Sequence, residues 1–284
     1  MKIRIRRVRF SRVLLYIVVL ALLVFTTMPL VYLVSTAFKP VDELFVFPPV
    51  FITKRPTLAN FKELLSALSN STVPFTRYFF NSVVVTVASV GGSLLVCSMG
   101  AFSLCKMQLP FKNLIFNIIV ASLMIAPPAA AIINYIIIDK MQLVNTYWAI
   151  LLPSFAGSYY FFLLKQNIQE LPNELIEAAK IDGCETWKIY SKIVMPLSKP
   201  ALATVLVFSF VGTWNNYNSV MLYIHDEALK TLPLALAMLQ GGNGQIARQG
   251  AFGAAALLTT APVIIIFLIM QSKVVSTMAH SGIK

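Results

Sequence analysis

The chain has 284 residues, of which 58% are hydrophobic and only 12% are charged, and its mean hydropathy is +0.77. Soluble globular domains average about 45–50% apolar and about 25% charged residues, so this composition excludes an ordinary water-soluble fold. The formal net charge of +12 would suit a protein that binds nucleic acid, but the distribution of the charge along the chain argues against that partner.

The first twelve residues form a basic tail directly before an apolar run. Its basic residues are Lys2, Arg4, Arg6, Arg7, Arg9 and Arg12. The positive-inside rule explains such a cluster and predicts a cytoplasmic tail at 1–12, while a dedicated site for anionic lipid is the alternative. The apolar run that follows is long and has no small-residue cleavage pattern, so we expect a membrane anchor and no cleaved signal peptide.

Six apolar runs are long enough to cross a bilayer, which takes roughly 20 residues as a helix. These runs cover residues 13–34, 80–102, 114–138, 147–165, 200–223 and 250–272. Because a backbone in lipid must satisfy its own hydrogen bonds, we predict an all-α polytopic membrane protein with six transmembrane helices, the last five forming a core at 80–272. Pro127 and Pro128 interrupt the third run, which predicts a kink or, alternatively, a gating hinge.

The basic residues also predict the orientation of the chain. With the N-terminus inside, 15 of the 23 lysines and arginines fall in inner segments and the other eight in outer segments. This bias favours both termini in the cytoplasm. The outer segments are then loops at 35–79 and 224–249, and the inner ones include a polar loop at 166–199 and a tail at 273–284.

Apart from Lys165, the last residue of the run 147–165, the predicted spans contain no Asp, Glu, Lys or Arg. Ion-coupled transporters and proton pumps usually keep ionisable residues in the membrane, so this absence counts against them. A phosphate-binding loop of the pattern G-x-x-x-x-G-K-[ST] is also missing from the sequence, so an ATPase site of that kind is not expected. If transport is active, its energy comes from a partner, and a passive channel or a membrane scaffold stays open. We expect no catalytic residues, and the spacing of Cys97, Cys105 and Cys184 predicts no metal site.

The inner loop at 166–199 has the pattern of a helical hairpin. Pro172 and Asn173 suit the start of a helix, and Gly183 suits the turn that ends it. Thr186 could cap a second short helix, which Pro196 and Pro200 would end. Such a hairpin would plug a groove in another protein or, alternatively, lie on the bilayer as an amphipathic interfacial element.

The same loop resembles the EAA loop of ABC importer permeases. The family pattern E-A-A-x-x-x-G is matched from Glu177 to Gly183, and nine residues separate Gly183 from Ile193, which opens the family's I-x-L-P element. Cys184 and Met195 are small departures from the pattern. By this resemblance the residues that dock into a cytoplasmic ATPase are Glu177, Ala178, Ala179, Asp182 and Gly183.

Other segments resemble the carbohydrate-uptake, maltose-type and binding-protein-dependent branch of these permeases. The matching segments are Ser35–Lys39, Pro56–Phe61, Asn81–Ser82, Trp214–Tyr217 and Thr231–Leu234. The tail at 277–284 departs from the branch's usual pattern, so no contact between the tail and the ATPase is carried over.

The resemblance implies a type I ABC importer permease fold in a bacterial plasma membrane. It implies a second permease subunit as partner, two copies of a cytoplasmic ATPase that carry ATP and magnesium, and an extracytoplasmic sugar-binding protein. This chain would form half of the translocation path for a sugar or oligosaccharide and would bind no cofactor itself. A non-sugar solute such as a polyamine is the alternative cargo.

Amides and aromatic rings cluster in the fifth predicted span, at Trp214, Asn215, Asn216, Tyr217 and Asn218. Amides hydrogen-bond to hydroxyl groups and aromatic faces stack on sugar rings, so these residues are candidates for the substrate path. Hydrogen bonding between helices and an interfacial aromatic belt would explain the same residues equally well.

Overall fold

Helices make up the regular structure of the described part of the chain. The structure, a computed structural model, describes residues 10–48, 50–69, 73–240 and 249–281. Every regular element in these ranges is helical, which confirms the all-α prediction. The chain divides into two compact units, Met1–Ala67 with Gln240–Leu258 and Leu68–Leu239 with Thr259–Lys284.

Fifteen α-helices occur in the described ranges. In chain order they are α1 Phe10–Phe38, α2 Val41–Leu44, α3 Ala59–Ser69, α4 Phe75–Lys106, α5 Lys112–Ser122, α6 Pro127–Lys140, α7 Trp148–Phe155, α8 Ser158–Glu170, α9 Asn173–Ile181, α10 Thr186–Ile189, α11 Met195–Leu197, α12 Lys199–Trp214, α13 Tyr217–Tyr223, α14 Leu232–Gln240 and α15 Gln249–Ser281. A π-helical turn at Tyr190–Val194 joins α10 to α11, and a 3₁₀ turn lies at Glu227–Leu229.

In the first unit, a buried amide secures the C-terminal end of α1. Asn60 of α3 is fully buried, and its Nδ2 donates hydrogen bonds to the carbonyl oxygens of Ala37 at 3.0 Å and Lys39 at 2.7 Å. Lys39 is buried as well; its ammonium donates to the Val50 carbonyl and lies 4.9 Å from the centroid of the Tyr32 ring. The predicted loop at 35–79 is therefore partly helical, since α1 continues to Phe38 and α2 and α3 follow.

In the second unit, α4 is the central helix and packs most extensively against α7, α8 and α12. Its buried face contains the small polar residues Ser82, Ser89, Ser93 and Ser98. Small residues let helix backbones approach closely in membranes. At Gly92 the approach is closest, because an added Cβ would lie 2.1 Å from the Phe155 ring.

Three of the six predicted spans are divided. The divided runs, 114–138, 147–165 and 200–223, correspond to the pairs α5 and α6, α7 and α8, and α12 and α13. Among the described residues three helices are long and apolar enough to cross a membrane unaided, Val13–Phe38, Phe75–Lys106 and Gln249–Ser272. The prediction of six transmembrane helices therefore stays a prediction, with three of the runs divided into two helices each.

Each break has a local cause. Pro127 and Pro128 begin α6, where their missing backbone N–H groups cost no helical hydrogen bond. Gly157 precedes α8 in an extended conformation. Asn216 caps α13 by accepting a hydrogen bond from the Ser219 amide at 3.1 Å. The prediction that Pro127 and Pro128 interrupt the third run is confirmed. The interruption is the non-helical segment 123–126 between α5 and α6.

Some predictions fall on residues outside the described ranges. These include the basic tail at 1–9, part of the outer loop at 241–248 and the chain end at 282–284. Helix α15 continues into the predicted inner tail as far as Ser281.

Candidate functional site

The predicted hairpin forms, and its first arm is α9. The arm ends in a Schellman motif, in which the Cys184 amide donates to the Ala179 carbonyl at 2.9 Å and the Gly183 amide to the Lys180 carbonyl at 3.0 Å. Gly183 has φ of 75°, the left-handed conformation that this motif requires. No atom lies within 4 Å of an added Cβ at Gly183, so the turn needs glycine for its backbone conformation and not for space.

The second arm differs from the prediction. Thr186 is the first residue of α10 and Glu185 is its N-cap, so Thr186 is not the cap. The helical path continues through the π-turn and through Pro196 to Leu197, and Pro200 lies in the first turn of α12. The two prolines therefore do not end the arm where expected. The chain bends by 79° between Thr186–Leu197 and Lys199–Trp214.

One face of the hairpin is buried against α4 and α8. The buried residues of the hairpin are Ile176, Ala179, Ile189, Tyr190 and Val194. They pack in one core cluster with Ala101 and Phe102 of α4 and with Leu164 and Ile168 of α8. The hairpin is therefore a packed part of the second unit.

Two polar contacts also join the hairpin to α4. The Lys106 ammonium donates to the Leu171 carbonyl at 2.6 Å and to Asn173 Oδ1 at 2.7 Å, at the start of α9. The hydroxyls of Ser98 and Tyr190 are 2.7 Å apart in a buried site. Each arm of the hairpin thus has a polar link to the same helix.

The opposite face of the hairpin is exposed. Of the five predicted docking residues, Glu177, Ala178, Asp182 and Gly183 are exposed, whereas Ala179 is buried. Ala179 therefore faces the chain's own core, and its docking role stays a prediction. Its small side chain lets α9 approach α4 and α8.

Sequence reasoning missed the apolar part of this face. Ile181 is 86% exposed, Trp187 58% and Leu175 45%. Large apolar side chains this exposed on an otherwise charged hairpin are typical of a surface that a partner protein or the membrane covers. Helical spacing did not reveal all three, because Leu175 lies one turn before the buried Ala179 and the Trp187 ring lies 5.2 Å from that of the buried Tyr190.

A second candidate site is an open cavity of about 460 Å³ in the second unit. Helices α6, α7 and α13 line it, next to the breaks described above. Its polar lining residues are Asn134, Ser154, Asn216, Asn218, Ser219 and Tyr223. No lining residue carries a formal charge, so the cavity offers hydroxyl groups, amides and one aromatic ring.

The structure separates the predicted path residues into two groups. Asn216 and Asn218 line the cavity. Trp214 is buried instead, where its Nε1 donates to the Thr259 carbonyl at 2.9 Å and its ring stacks on Phe210. Asn215 and Tyr217 are exposed outside the cavity lining. The side chain of Asn215 donates to the Val211 carbonyl of its own helix.

Asn134 is the residue of the cavity lining that the sequence could have revealed. It is a single amide in the apolar sequence A-I-I-N-Y-I-I-I, and polar residues inside a membrane span are functional candidates by default. Ser154 and Ser219 had no comparable signal. They reach the cavity because α7 and α13 are short helices whose positions depend on tertiary packing.

A charged network lies beside α4 at the predicted outer side. Tyr78 donates a hydrogen bond to Glu227 at 2.9 Å, and Lys230 forms an ion pair with the same carboxylate. Partial burial raises the pKa of Glu227, but the hydrogen bonds from Lys230 and Tyr78 and the charge of Lys230 outweigh burial and hold the pKa below its ordinary value. Asn145 holds the preceding turn by accepting from the amides of His225 and Asp226.

Metal-ligating side chains do not cluster in the described ranges, where no group of three or more His, Cys, Asp or Glu residues could hold an ion. The three cysteines are free; Cys97 is buried and Cys184 is exposed at the hairpin turn.

Known proteins resemble this chain over nearly its whole length. Residues 98–280 match the family described as the binding-protein-dependent transport system inner membrane component. The arabinooligosaccharides transport system permease protein of Halalkalibacterium halodurans is 30% identical over 90% of each chain. The sn-glycerol-3-phosphate transport system permease protein of Pectobacterium atrosepticum is 30% identical over 92% of each chain.

The fold also matches a solved structure. A chain of a bacterial ABC transporter involved in the import of the acidic polysaccharide alginate superposes with a TM-score of 0.78, covering 96% of this chain and 99% of that one. The sequence identity is 20%, so this likeness establishes the fold.

Proposed function

Because this chain belongs to the binding-protein-dependent transport system inner membrane components, we propose that it is one permease subunit of an ATP-driven ABC importer for a sugar or oligosaccharide. In this proposal it pairs with a second permease subunit and forms half of the translocation path. Two copies of a separate ATPase bind ATP and magnesium on the cytoplasmic side, and an external binding protein delivers the cargo.

The observation that carries the proposal is the two-faced hairpin. Its inner face is packed into the core, and its exposed residues include Glu177, Ala178 and Asp182 together with Ile181 and Trp187. A hairpin that merely rested on lipid would not need acidic residues beside its exposed apolar ones. A cleft in an ATPase accommodates both kinds of residue.

Motion of the ATPase would reach the membrane through the contacts of the hairpin. When ATP binding closes the ATPase pair, the hairpin moves, and Lys106 and Tyr190 pass that displacement to α4. The 79° bend connects the second arm directly to α12. The ATPase can shift the permease between its inward-open and outward-open states only by binding the two states with different affinity. This chain performs no covalent chemistry in the cycle.

The proposed topology is six crossings with both termini in the cytoplasm of a bacterial cell. Three crossings are the long helices α1, α4 and α15. The other three consist of the pairs α5 with α6, α7 with α8, and α12 with α13. Broken helices are tolerated at membrane depth where they line a cavity or are buried in protein, and the 460 Å³ cavity is lined by these broken pairs.

The cavity favours an uncharged, hydroxyl-rich cargo. Asn134, Asn216 and Asn218 supply amide donors and acceptors, and Tyr223 supplies an aromatic face. A phosphate or polyamine cargo would instead favour charged groups along the path. The relative named for arabinooligosaccharides supports the sugar assignment, whereas the one named for sn-glycerol-3-phosphate makes that compound a competing cargo.

Uptake by the reconstituted transporter tests the proposal. Vesicles containing this chain, its partner permease and the ATPase are supplied with ATP and the binding protein, and are offered a neutral oligosaccharide, sn-glycerol-3-phosphate or a polyamine. We expect ATP-dependent uptake of the oligosaccharide, reduced by Asn218→Leu and unaffected by Asn215→Leu, the matched amide outside the cavity. Uptake without ATP would indicate a passive channel, and uptake of only a charged solute would refute the sugar assignment.

A further inference from the structure

A smaller cavity at the other end of α4 contains positive charge that the proposed transport path does not use. It encloses about 180 Å³ and lies where the end of α4, the start of α5 and the end of α8 meet. Its lining residues are Leu104, Cys105, Lys112, Asn113, Phe116, Lys165 and Gln169. A water molecule occupies about 30 Å³ in the liquid, so the space is large enough for a phosphorus atom and its four oxygens.

Two ammonium groups line this cavity and a third lies beside it. Lys112 and Lys165 belong to the lining, and Lys106 neighbours them at the end of α4. Lys106 directly follows the lining residue Cys105 in the chain. Like charges that share one cavity repel one another unless an anion lies between them.

The protein does not supply that anion within the described residues. None of the ion pairs found there includes Lys106, Lys112 or Lys165. Lys165 is half-buried, and its contacts are neutral: it donates to Gln169 Oε1 at 2.6 Å and lies 4.0 Å from the centroid of the Phe116 ring. Lys106 likewise donates only to neutral oxygens at the start of α9.

The surroundings of the cavity fit the headgroup level of a membrane. Phe111, next to Lys112, is 76% exposed, and Leu114, in the first turn of α5, is 57% exposed. Exposed apolar residues beside lysines place the ammonium groups where lipid tails give way to headgroups. Basic pockets between helices on the cytoplasmic side are a recognised form of anionic headgroup binding.

We propose that this cavity binds a phosphate group between the ammonium groups of Lys112 and Lys165. The side-chain amides of Asn113 and Gln169 provide further donors at the rim. An anionic phospholipid such as phosphatidylglycerol supplies this group from the inner leaflet, and inorganic phosphate supplies the same chemistry from solution. The site does not depend on which cargo is transported.

Lysine acylation of the complete transporter in nanodiscs tests the proposal, because both faces of the membrane are then accessible to the reagent. The modification rate of Lys165 is followed by mass spectrometry in phosphatidylglycerol and in phosphatidylcholine. We expect phosphatidylglycerol to slow the modification of Lys165 about tenfold. The rate at Lys192, an exposed lysine of the hairpin, is the internal control and should not change.

Two further arms identify the source of the phosphate and the role of the second lysine. Protection of Lys165 by inorganic phosphate in phosphatidylcholine would assign the site to the free anion, and protection by phosphatidylglycerol alone would assign it to lipid. Lys112→Gln should abolish most of the protection, whereas Lys192→Gln should leave it intact. Equal Lys165 rates under all conditions, or full protection in Lys112→Gln, would overturn the site. The wild-type comparison holds even if a variant fails to assemble.

Discussion

At the residue scale, Asn81 shows how a single buried side chain positions a loop. It is fully buried in α4, and its Nδ2 donates to the carbonyls of Ala228 and Lys230, each at 2.8 Å. Its Oδ1 accepts a hydrogen bond from Tyr147 at 2.7 Å. The Asn81 amide itself is removed from water, so leaving it unpaired would cost about 1–3 kcal/mol.

The neighbouring Glu227 makes stability depend on pH. Its pKa in the folded chain lies below the ordinary value of 4.5, so its stabilising contribution is present above about pH 4.5 and is lost as the pH falls through the folded pKa. We expect Glu227→Gln to lower the unfolding temperature at neutral pH and to lower it less in acid.

Thermal unfolding of the purified chain, from about pH 3 to about pH 7, measures this difference. Glu174→Gln, which replaces an exposed glutamate of α9, is the control and should have the same small effect at every pH. A constant deficit of Glu227→Gln across the range would contradict the assigned role of the carboxylate.

Trp214 should contribute to stability and not to cargo selection. Trp214→Phe removes the hydrogen bond to the Thr259 carbonyl but keeps an aromatic ring against Phe210, so we expect a loss of about 0.5–1.5 kcal/mol in unfolding free energy. Unfolding in denaturant measures that loss, and competition between sugars for uptake should be unchanged. A changed sugar preference in Trp214→Phe would return this residue to the transport path.

The residue types of both sites were predictable from the sequence, but whether each side chain faces the core or the outside was not. Ala178 and Ala179 are adjacent and identical, yet one is exposed and the other buried, because only the packing of α9 decides which side faces α4. Likewise, Asn215 and Asn216 are neighbours, and the cap of α13 uses only the second. Composition predicts a polar cluster, whereas tertiary contacts decide which of its side chains line the cavity.

At the element scale, α4 is the helix to which both arms of the hairpin are attached. Lys106 holds the start of α9, and the pair Ser98 and Tyr190 holds the second arm. Lys106 makes two hydrogen bonds to the start of α9, whereas the second arm has one, the buried contact between Ser98 and Tyr190.

Removing that link should weaken coupling. Lys106→Met removes both hydrogen bonds to the start of α9 but keeps an apolar side chain of similar length. We therefore expect the amount of cargo transported per ATP to fall several-fold, with little change in basal ATP hydrolysis. Parallel measurement of uptake and hydrolysis gives this ratio. Lys180→Met, at an exposed lysine of α9, should leave the ratio unchanged, and an unchanged ratio in Lys106→Met would rule out the link.

The apolar pattern of the sequence does not show where a run divides into two helices. The apolar runs predicted where the chain enters the membrane, but a run such as 200–223 has the same composition whether it is one helix or two. Pro127 and Pro128 signalled one break directly. The breaks at 156–157 and 215–216 depend on Gly157 and on the cap at Asn216, which are weak signals inside an apolar sequence.

At the scale of the whole molecule, native cysteines report the proposed topology. Cys184 is exposed at the hairpin turn and Cys97 is buried. A membrane-impermeant maleimide should therefore label Cys184 in inverted vesicles and fail to label it in intact cells. Lys54 is exposed in the loop at 35–79, and Lys54→Cys should be labelled in intact cells and not in inverted vesicles. Labelling of both positions from one side would contradict the six-crossing topology.

The central claim is that the exposed face of the hairpin transmits the energy of ATP hydrolysis. The most direct measurement is the rate of ATP hydrolysis by the assembled transporter, with and without sugar-loaded binding protein. It compares wild type with Glu177→Arg and with the matched control Glu174→Arg, since both glutamates are exposed on α9. We expect the loaded binding protein to stimulate wild type and Glu174→Arg equally, and Glu177→Arg to lose at least about tenfold of that stimulation, since reversing one charge of a docked pair costs several kcal/mol. Equal stimulation of all three proteins, or hydrolysis that does not depend on this chain, would contradict the account.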